Sequence, residues 1–376
     1  MIPKFCPNSK CKLHITPYNG AGEWFALNGV YHSRVSGKVQ RFYCKSCGRH
    51  FSEQTFSLDF MVKKKLSYSR IFNSLNSGSG IRSIGRELNV SHRAILNRCS
   101  RLARQALAIN AALLGAIFLN EDLVADGFES FVASQYFPCS IHLLAGKESQ
   151  FMYGYDYAHL ARKGRMTDKQ KIRKADLEKA FVSGKRSAAV SFSAIVELVE
   201  LLFKNRLIKS ARLFTDENPL YPAALRRSSI LDYNRQAGLF SHARINSKKA
   251  RNLKNNLFSV NYLDREIRKD CANHARETVQ YSRDVSNCME RFAIYCLYHN
   301  CVKPFRVDDP EKKKLLHAEV AGVNRSLVSA ELKTLFTERR FLTRTKLRWG
   351  DALIWLKGLA TPLKMASPYV PAYAWD

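Results

Sequence analysis

Four cysteines near the amino terminus lie in two close pairs, Cys6 with Cys11 and Cys44 with Cys47. Thiolates are soft ligands that zinc prefers, and a structural zinc site closes with four ligands in a tetrahedron. Gly48, directly after the second pair, suits the tight turn of a small zinc ribbon. The spacing therefore predicts a structural Zn²⁺ site. Nearby histidines are weaker candidates: His14, His32 and His50.

A second set of candidate ligands consists of carboxylates far downstream: Asp126, Asp216, Asp264 and Glu266. In-line cleavage of a phosphodiester uses two divalent cations to stabilise the attacking and leaving oxygens, and Mg²⁺ prefers hard carboxylate oxygens. Each acid alone has a simpler structural interpretation; Asp216 could cap the turn before Pro219, and Glu129 could replace Asp126. Only the ordered set predicts a site for Mg²⁺ or Mn²⁺.

These acids lie in a segment whose patterns alternate between strands and helices. The predicted elements are strands at 122–132, 140–146 and 150–158, a basic insertion at 159–186, an amphipathic helix at 192–207, a strand at 210–218, a turn-like stretch at 226–254, and helices at 262–279 and 285–300. Three strands, a helix, a fourth strand and a helix form the core order of a ribonuclease H-like domain. Asp126 then lies on the first strand and Asp216 at the carboxyl end of the fourth, where open α/β sheets bind ligands.

The preceding segment, 62–105, is helical in pattern and strongly basic, with ten lysines and arginines against one acid, Glu87. Its apolar spacing predicts a helix, a turn at 89–91 and a second helix for which Ser91 is a natural N-cap. This is a helix-turn-helix pattern, whose second helix enters the DNA major groove. An ordinary helical hairpin has the same spacing, but the charge favours DNA. The candidate contacts are Arg82, Arg86, Ser91, His92, Arg93, Asn97 and Arg98.

The composition agrees with a polyanionic partner. The 376 residues carry 61 Lys and Arg against 32 Asp and Glu, a formal charge of +29, and 46% are hydrophobic, which excludes a disordered chain. No run of about 18 apolar residues is present, so no membrane span is expected. The start carries no secretory pattern, and the remaining cysteines are expected to be reduced. We expect a cytoplasmic, nucleoid-associated protein.

Several motifs together resemble bacterial insertion-sequence transposases that have an N-terminal zinc ribbon, a helix-turn-helix and a DDE catalytic domain. They are CPNSKC, QRFYCKSCGRHFSEQTF, IRSIGRELNVSHRAILNR, VADGFESF, LFTDENPLYP, the stretch from YLDREIRKD through ARETVQYSRDVSN to CLYHN, and the closing TPLKM…PAY. The resemblance implies recognition of the element's terminal repeats in double-stranded DNA, by a homo-oligomer on that DNA. It also implies strand cleavage and strand transfer into target DNA, with Asp126 as the first acid and Asp216 as the second.

The third acid departs from the family pattern. Relatives often carry Glu followed by Arg before an Ala-Arg-x-Thr stretch. Counting back without gaps reaches Asn261, which has no carboxylate, whereas a shift of one helical turn reaches Asp264, followed by Arg265. We therefore expect Asp264, with Glu266 second and Asn261 third. Two further arginines would contact phosphate from the same region: Arg268 and Arg276.

The expected fold is multidomain α+β. It comprises a zinc ribbon (1–60), a helix-turn-helix (62–110), a ribonuclease H-like α/β catalytic domain with a mixed sheet (117–302) and a basic C-terminal appendage (303–376). In the appendage, basic residues suggest DNA or partner contact: Arg339, Arg340, Arg344, Lys346 and Arg348. Two other functions fit the same patterns: a non-catalytic DNA-binding regulator or inactivated transposase derivative, and a nuclease that acts on branched or viral DNA. A third acid that reaches the other two discriminates catalysis from binding alone.

Overall fold

The computed structural model describes residues 2–16, 18–20, 22–181, 187–207, 210–246, 248–306, 309–311, 314–364 and 369–376. Within these ranges the chain forms two β-sheets and twelve α-helices. The strands are β1 (Phe25–Ser33), β2 (Gly37–Cys44), β3 (His50–Ser52), β4 (Leu123–Phe131), β5 (Pro138–Gly146), β6 (Met152–His159), β7 (Ala211–Thr215) and β8 (Phe240–Arg244). The helices are α1 (Tyr68–Asn76), α2 (Ile81–Glu87), α3 (His92–Ala116), α4 (Asp168–Ala180), α5 (Ala188–Lys204), α6 (Leu220–Leu225), α7 (Ser229–Gln236), α8 (Phe258–Asp270), α9 (Val285–Cys301), α10 (His317–Val320), α11 (Arg325–Lys333) and α12 (Trp349–Trp355).

The amino-terminal sheet is small and antiparallel, in the order β1-β2-β3. It is too small to bury many aliphatic side chains, and its core is built mainly from aromatic rings. Phe42 packs edge-on against Phe25 and beside Phe51, and Trp24 stacks on Phe51. Phe341, from the far end of the chain, belongs to the same buried cluster.

The predicted helices on either side of Ser91 are confirmed. Ser91 caps α3, because its hydroxyl accepts a hydrogen bond from the Ala94 amide at 3.3 Å. The turn before it needs glycine at position 85, where a Cβ atom would stand 3.0 Å from the Val90 carbonyl oxygen. Helix α3 continues to Ala116, well beyond the predicted segment, and packs along α9.

The larger sheet has five strands in the order β6-β5-β4-β7-β8. Strands β4, β5 and β6 are antiparallel neighbours, while β7 and β8 run parallel to β4. Gly154 of β6 lies against Leu198 of α5, whereas the next residue, Tyr155, packs on Phe292 of α9. Because successive strand residues point to opposite faces, α5 and α9 cover the two faces of the sheet. The chain is therefore a mixed α+β fold.

Two predictions between 226 and 279 are wrong. The stretch 226–254 is not merely turn-like: it contains α7 and β8, and β8 forms because parallel pairing with β7 completes the sheet edge. The helix predicted over 262–279 begins earlier and ends at Asp270. Beyond it, the side chains of His274 and Thr278 bond to Ser130 and to the Ala272 carbonyl, and such bonds compete with helical ones.

The C-terminal segment is not a free basic appendage. Residues near Glu338 pair with the segment that follows β3: Ser57 and Glu338 form an isolated antiparallel bridge, the Leu58 amide donates to the Thr337 carbonyl and the Arg339 amide donates to that of Phe56. The Arg339 guanidinium is enclosed by Phe60, Phe341 and Tyr373, and that of Arg348 pairs with Asp351 against β6. The prediction that these two arginines face DNA is wrong, since both are used internally.

Parts of two predicted features lie outside the described residues: positions 182–186 of the basic insertion, and positions 365–368 within the closing motif. The rest of the insertion contains helix α4. In the part of the chain that the structure describes, no helix is both long and apolar enough to cross a bilayer.

Candidate functional site

The four amino-terminal cysteines form a compact group, called here the cysteine cluster. Their sulfur atoms all lie within 4.8 Å of one another; Sγ of Cys6 is 3.6 Å from that of Cys47, and Sγ of Cys11 is 4.0 Å from that of Cys44. Four thiolates at about 2.3 Å from a tetrahedral zinc ion stand about 3.8 Å apart, so these distances fit zinc. The cluster can therefore bind a zinc ion.

Backbone turns position each pair of thiols. The amide of Gly48 donates to the Cys44 carbonyl at 3.0 Å, and the glycine adopts a positive φ of 73° that other residues rarely adopt. His14 is buried, but its ring is engaged elsewhere: Nδ1 donates to the Cys6 carbonyl at 2.7 Å, and Nε2 accepts from Thr343 at 2.8 Å. His14 thus supports the cluster and contacts the C-terminal segment without being a ligand.

The second site begins where β4 and β7 lie side by side. Leu123 pairs with Leu213 and Val124 with Phe214 in parallel register. Extending that register places Asp126 level with Asp216, which directly follows β7. One oxygen of Asp126 accepts a hydrogen bond from its neighbouring Gly127 amide at 2.7 Å.

Helix α8 contributes a third acid to the same place. Burial, followed by the charge of Asp126, raises the pKa of Asp264 to about 7. Burial likewise raises the pKa of Asp126 to about 6, and the Asp216 carboxylate contributes. The Tyr221 hydroxyl lies near all three acids: its pKa is raised by burial and by the charges of Asp126, Asp216 and Asp264. We call these three acids the carboxylate cluster.

Glu266 does not join this group. Residues two apart on an α-helix are separated by about 200° around its axis, so Asp264 and Glu266 face opposite ways. Glu266 is 4% exposed and is bonded by Lys303 and by Lys269, at 2.8 Å for the latter. Lys303 also holds Asp270 at 2.6 Å. This network lowers the pKa of Glu266 against the effect of burial, and it fastens α8 to the end of α9.

The carboxylate cluster has donors suited to a hard divalent cation. Asp264 Oδ1 is buried and has no hydrogen-bond partner among the described residues, which is costly for a carboxylate unless a cation or proton satisfies it. The three acids are less tightly gathered than the thiols: of the described residues, only the cysteines form a group of three or more ligands close enough to hold an ion.

A cationic cavity of about 530 Å³ opens beside Asp264. Its lining combines basic and aromatic side chains: Arg251, Phe258, Asn261, Tyr262, Asp264, Arg265, Arg268, Lys269 and Arg276. Phe258 and Tyr262 stack with ring centroids 6.0 Å apart. Asn261, one turn before Asp264, shares this face and offers an amide. Arg276 is exposed here, as expected for a phosphate contact.

Arg268 has a local role as well. Its guanidinium donates to the Glu129 carbonyl at 2.9 Å and lies over the Phe128 ring, so it ties α8 to β4. The positive charge also opposes the rise in the pKa of Asp264. Glu129 itself is exposed and does not enter the carboxylate cluster.

The candidate DNA contacts around Ser91 divide into two groups. Six are exposed on α2 and at the start of α3: Arg82, Arg86, Ser91, His92, Arg93 and Asn97. Arg98 is only 5% exposed, and it donates to the Lys64 carbonyl and to Asn97. The prediction that Arg98 faces DNA is wrong, because its side chain lies on the buried side of α3, against the Lys64 segment. Arg101 and Arg104 are buried as well.

Sequence reasoning missed two residues of the carboxylate site. Tyr221 lies 3.5 Å from Asp126 through its hydroxyl, five positions after Asp216 in the quoted LFTDENPLYP motif. Arg251 lowers the pKa of both Asp126 and Asp264, and it belongs to the basic stretch interpreted as turns. Tyr221 could have been predicted from its position close to Asp216 in the sequence. For Arg251, only its charge suggested a place in the site.

No protein-family model matches the chain, and no curated protein matches it either. The observations that stand are a four-cysteine group able to hold zinc and a mixed α+β fold with a five-stranded sheet.

Proposed function

We propose that this chain is a DNA transposase that binds the terminal repeats of its element and carries out metal-dependent strand cleavage and strand transfer. The observation that carries the proposal is the register of β4 and β7, which places Asp126 level with Asp216, together with the position of Asp264 on α8, where the Asp126 charge acts on it. The mixed five-stranded sheet, in which β4, β5 and β6 are antiparallel and β7 runs parallel to β4, supports the proposal. The cationic cavity beside Asp264 supports DNA as the substrate.

The proposed division of labour is between placement and chemistry. The amino-terminal sheet and the exposed side of α2 and α3 would bind duplex DNA, largely through arginines that neutralise phosphates. The carboxylate cluster would hold Mg²⁺ or Mn²⁺, which supplies charge stabilisation at the attacking and leaving oxygens when bound. Duplex binding by several copies of the chain, one at each end of the element, is part of the same proposal.

The reaction has two substitutions at phosphorus. In the first, a water oxygen forms a bond to phosphorus, the bond from phosphorus to the 3′-oxygen breaks, and the released 3′-oxygen takes up a proton. In the second, that 3′-hydroxyl loses its proton as its oxygen forms a bond to a target phosphorus; the target's own bond from phosphorus to its 3′-oxygen breaks, and that oxygen takes up a proton.

The test is strand cleavage and transfer by the purified chain with Mg²⁺ on DNA that carries the element's ends. Asp126→Asn and Asp216→Asn should each reduce both reactions by about 100-fold or more, because several kcal/mol of transition-state stabilisation is lost. Asp168→Asn, on exposed helix α4, is the matched control and should retain full activity. Cleavage that survives both site variants refutes the mechanism, and end binding without any cleavage favours the non-catalytic regulator.

A further inference from the structure

A second cationic cavity, distinct from the one beside Asp264, lies between the α2–α3 turn region and the start of α9. Its volume is about 530 Å³, within the range of about 300–1,000 Å³ typical of ligand pockets. The side chains that line it come from both sides: Ile81, Arg82, Ser83, Arg86, His92, Leu96, Val279, Gln280, Tyr281, Ser282, Arg283, Asn287 and Arg291. No carboxylate is among these described lining residues.

Arg291 is the unusual member of this cavity. It is 8% exposed, and its Nη2 is buried without a hydrogen-bond partner among the described residues. The adjacent acid, Glu290, is already bonded to Ser100 and Lys357. Three buried thiols lie near Arg291, those of Cys99, Cys271 and Cys288, and a neutral thiol is a poor partner for a guanidinium.

A buried guanidinium cannot relieve this cost by losing its proton, since arginine stays charged in proteins. Leaving such a charge unpaired is strongly unfavourable, whereas a bidentate anion would satisfy it. The remaining cations, Arg82, Arg86 and Arg283, are exposed and aligned around the same opening. The site is therefore built for an anion with several acceptor oxygens.

The surface that adjoins the cavity indicates the kind of anion that would bind there. Arg82, Arg86 and His92 also line an adjoining open surface with Asn89 and Ser91, at the start of α3. An anion in the cavity is thus continuous with the face proposed to meet duplex DNA, which favours a phosphate within a chain over a free ion. We propose that the cavity binds a backbone phosphate of DNA, held jointly by Arg82 of α2 and Arg291 of α9.

The consequence is a physical coupling of DNA recognition to the carboxylate site. Helix α9 packs on the sheet that carries Asp126, and α2 belongs to the recognition face. One phosphate bound by side chains of both α2 and α9 would fix the position of the DNA relative to the carboxylate cluster. This step rests on the proposed function for its ligand, but the anion site itself depends only on the geometry of Arg291.

The experiment measures binding of a 20-base-pair duplex to the full chain without divalent cations, as a function of salt. Arg291→Met should weaken binding about tenfold and reduce the slope of log K against log salt by about 1, as expected for one phosphate contact. Arg82→Met, an exposed change that cannot unfold the core, should act similarly. Arg173→Met on exposed helix α4 removes the same charge and should change neither quantity.

A double-mutant cycle makes the inference specific. If one phosphate bridges both arginines, the Arg82→Met, Arg291→Met double variant should lose far less than the product of the two single effects. Multiplicative losses, or an unchanged salt slope in Arg291→Met, overturn the proposal. Should Arg291→Met fail to fold, Arg291→Lys paired with Arg82→Met provides the same cycle.

A second arm uses inorganic phosphate against chloride at equal ionic strength, with thermal unfolding as the readout. Phosphate that stabilises the wild type but not Arg291→Met, while duplex binding is unchanged between them, would assign the site to a free anion and overturn the DNA phosphate. Neither arm involves cleavage, so the two proposals can fail separately. If Arg82 and Arg291 are coupled in the double-mutant cycle but the chain does not cleave DNA, the transposase activity is refuted and the phosphate site is not.

Discussion

The cysteine cluster and the carboxylate cluster are both candidate metal sites, but they differ in how closely the structure places their ligand atoms. The thiols are drawn to within 4.8 Å of one another by two backbone turns, whereas the acids stand on a strand, a strand end and a helix without closing on a common point. Neutral thiols can pack together, while carboxylates repel and resist burial. The cysteine cluster is therefore assembled within one small sheet and its turns, whereas the three acids are brought near one another only by the packing of distant elements.

Loss of zinc from the cysteine cluster should give the largest effect. Cys44→Ser with Cys47→Ser should abolish zinc binding and unfold the amino-terminal sheet, because apparent zinc-binding energies of structural sites are about 10–16 kcal/mol. The measurements are zinc content, near-ultraviolet circular dichroism and duplex binding. Cys301→Ala, at a buried cysteine outside the cluster, should leave zinc content unchanged. A double variant that keeps its aromatic signal would show that Phe341 and its neighbours hold this sheet without metal.

Asp264 and Glu266 allow a sharper comparison, because they lie two residues apart with opposite surroundings. Asp264→Asn should reduce cleavage by about 100-fold while preserving the fold. Glu266→Gln should mainly lower the free energy of unfolding, by about 1–3 kcal/mol, since it weakens the bonds to Lys303 and Lys269. Activity per folded molecule and denaturant unfolding separate the two. If Glu266→Gln abolishes cleavage at full stability, the third acid has been misassigned.

The stability of the fold should depend on pH through the carboxylate cluster. Asp126 and Asp264 have folded-state pKa values of about 6 and about 7, above the ordinary value of 3.8, so the native state binds more protons than the unfolded state between about pH 4 and pH 7. Stability contributed by these acids is therefore greatest at low pH and falls as pH rises through that window.

The measurement is the unfolding free energy of wild type and Asp264→Asn at pH 5 and pH 8. The amide variant should be more stable than wild type at pH 8 by about 2 kcal/mol, after allowance for partial solvent access, and the difference should shrink at pH 5. Because Mn²⁺ replaces protons, its stabilisation of the wild type should grow from pH 5.5 to pH 8. A Mn²⁺ effect that is independent of pH would contradict binding at these acids.

Structural features that depend on residues close together in the chain could be predicted from the sequence, whereas features that depend on distant contacts could not. The cysteine spacing, the N-cap at Ser91 and strand β4 were predicted because each follows from neighbours along the chain. Strand β8 and the burial of Arg98 were not, since sheet pairing and the buried side of α3 are decided by residues distant in the chain. The sequence already ranked Asp264 above Glu266, but the different surroundings of the two acids, beside Asp126 for the first and against Lys303 for the second, depend on contacts between distant elements.

The smallest expected effect comes from two arginines of α3. Arg93 is exposed and Arg98 is buried, although both were predicted to contact DNA. Arg93→Ala should weaken duplex binding about three- to tenfold and leave the unfolding free energy unchanged within about 0.5 kcal/mol. Arg98→Ala should do the reverse, losing about 1–3 kcal/mol because the Lys64 carbonyl is left without its donor. Salt titration of duplex binding beside urea unfolding measures both, and equal binding losses would place Arg98 back on the DNA face.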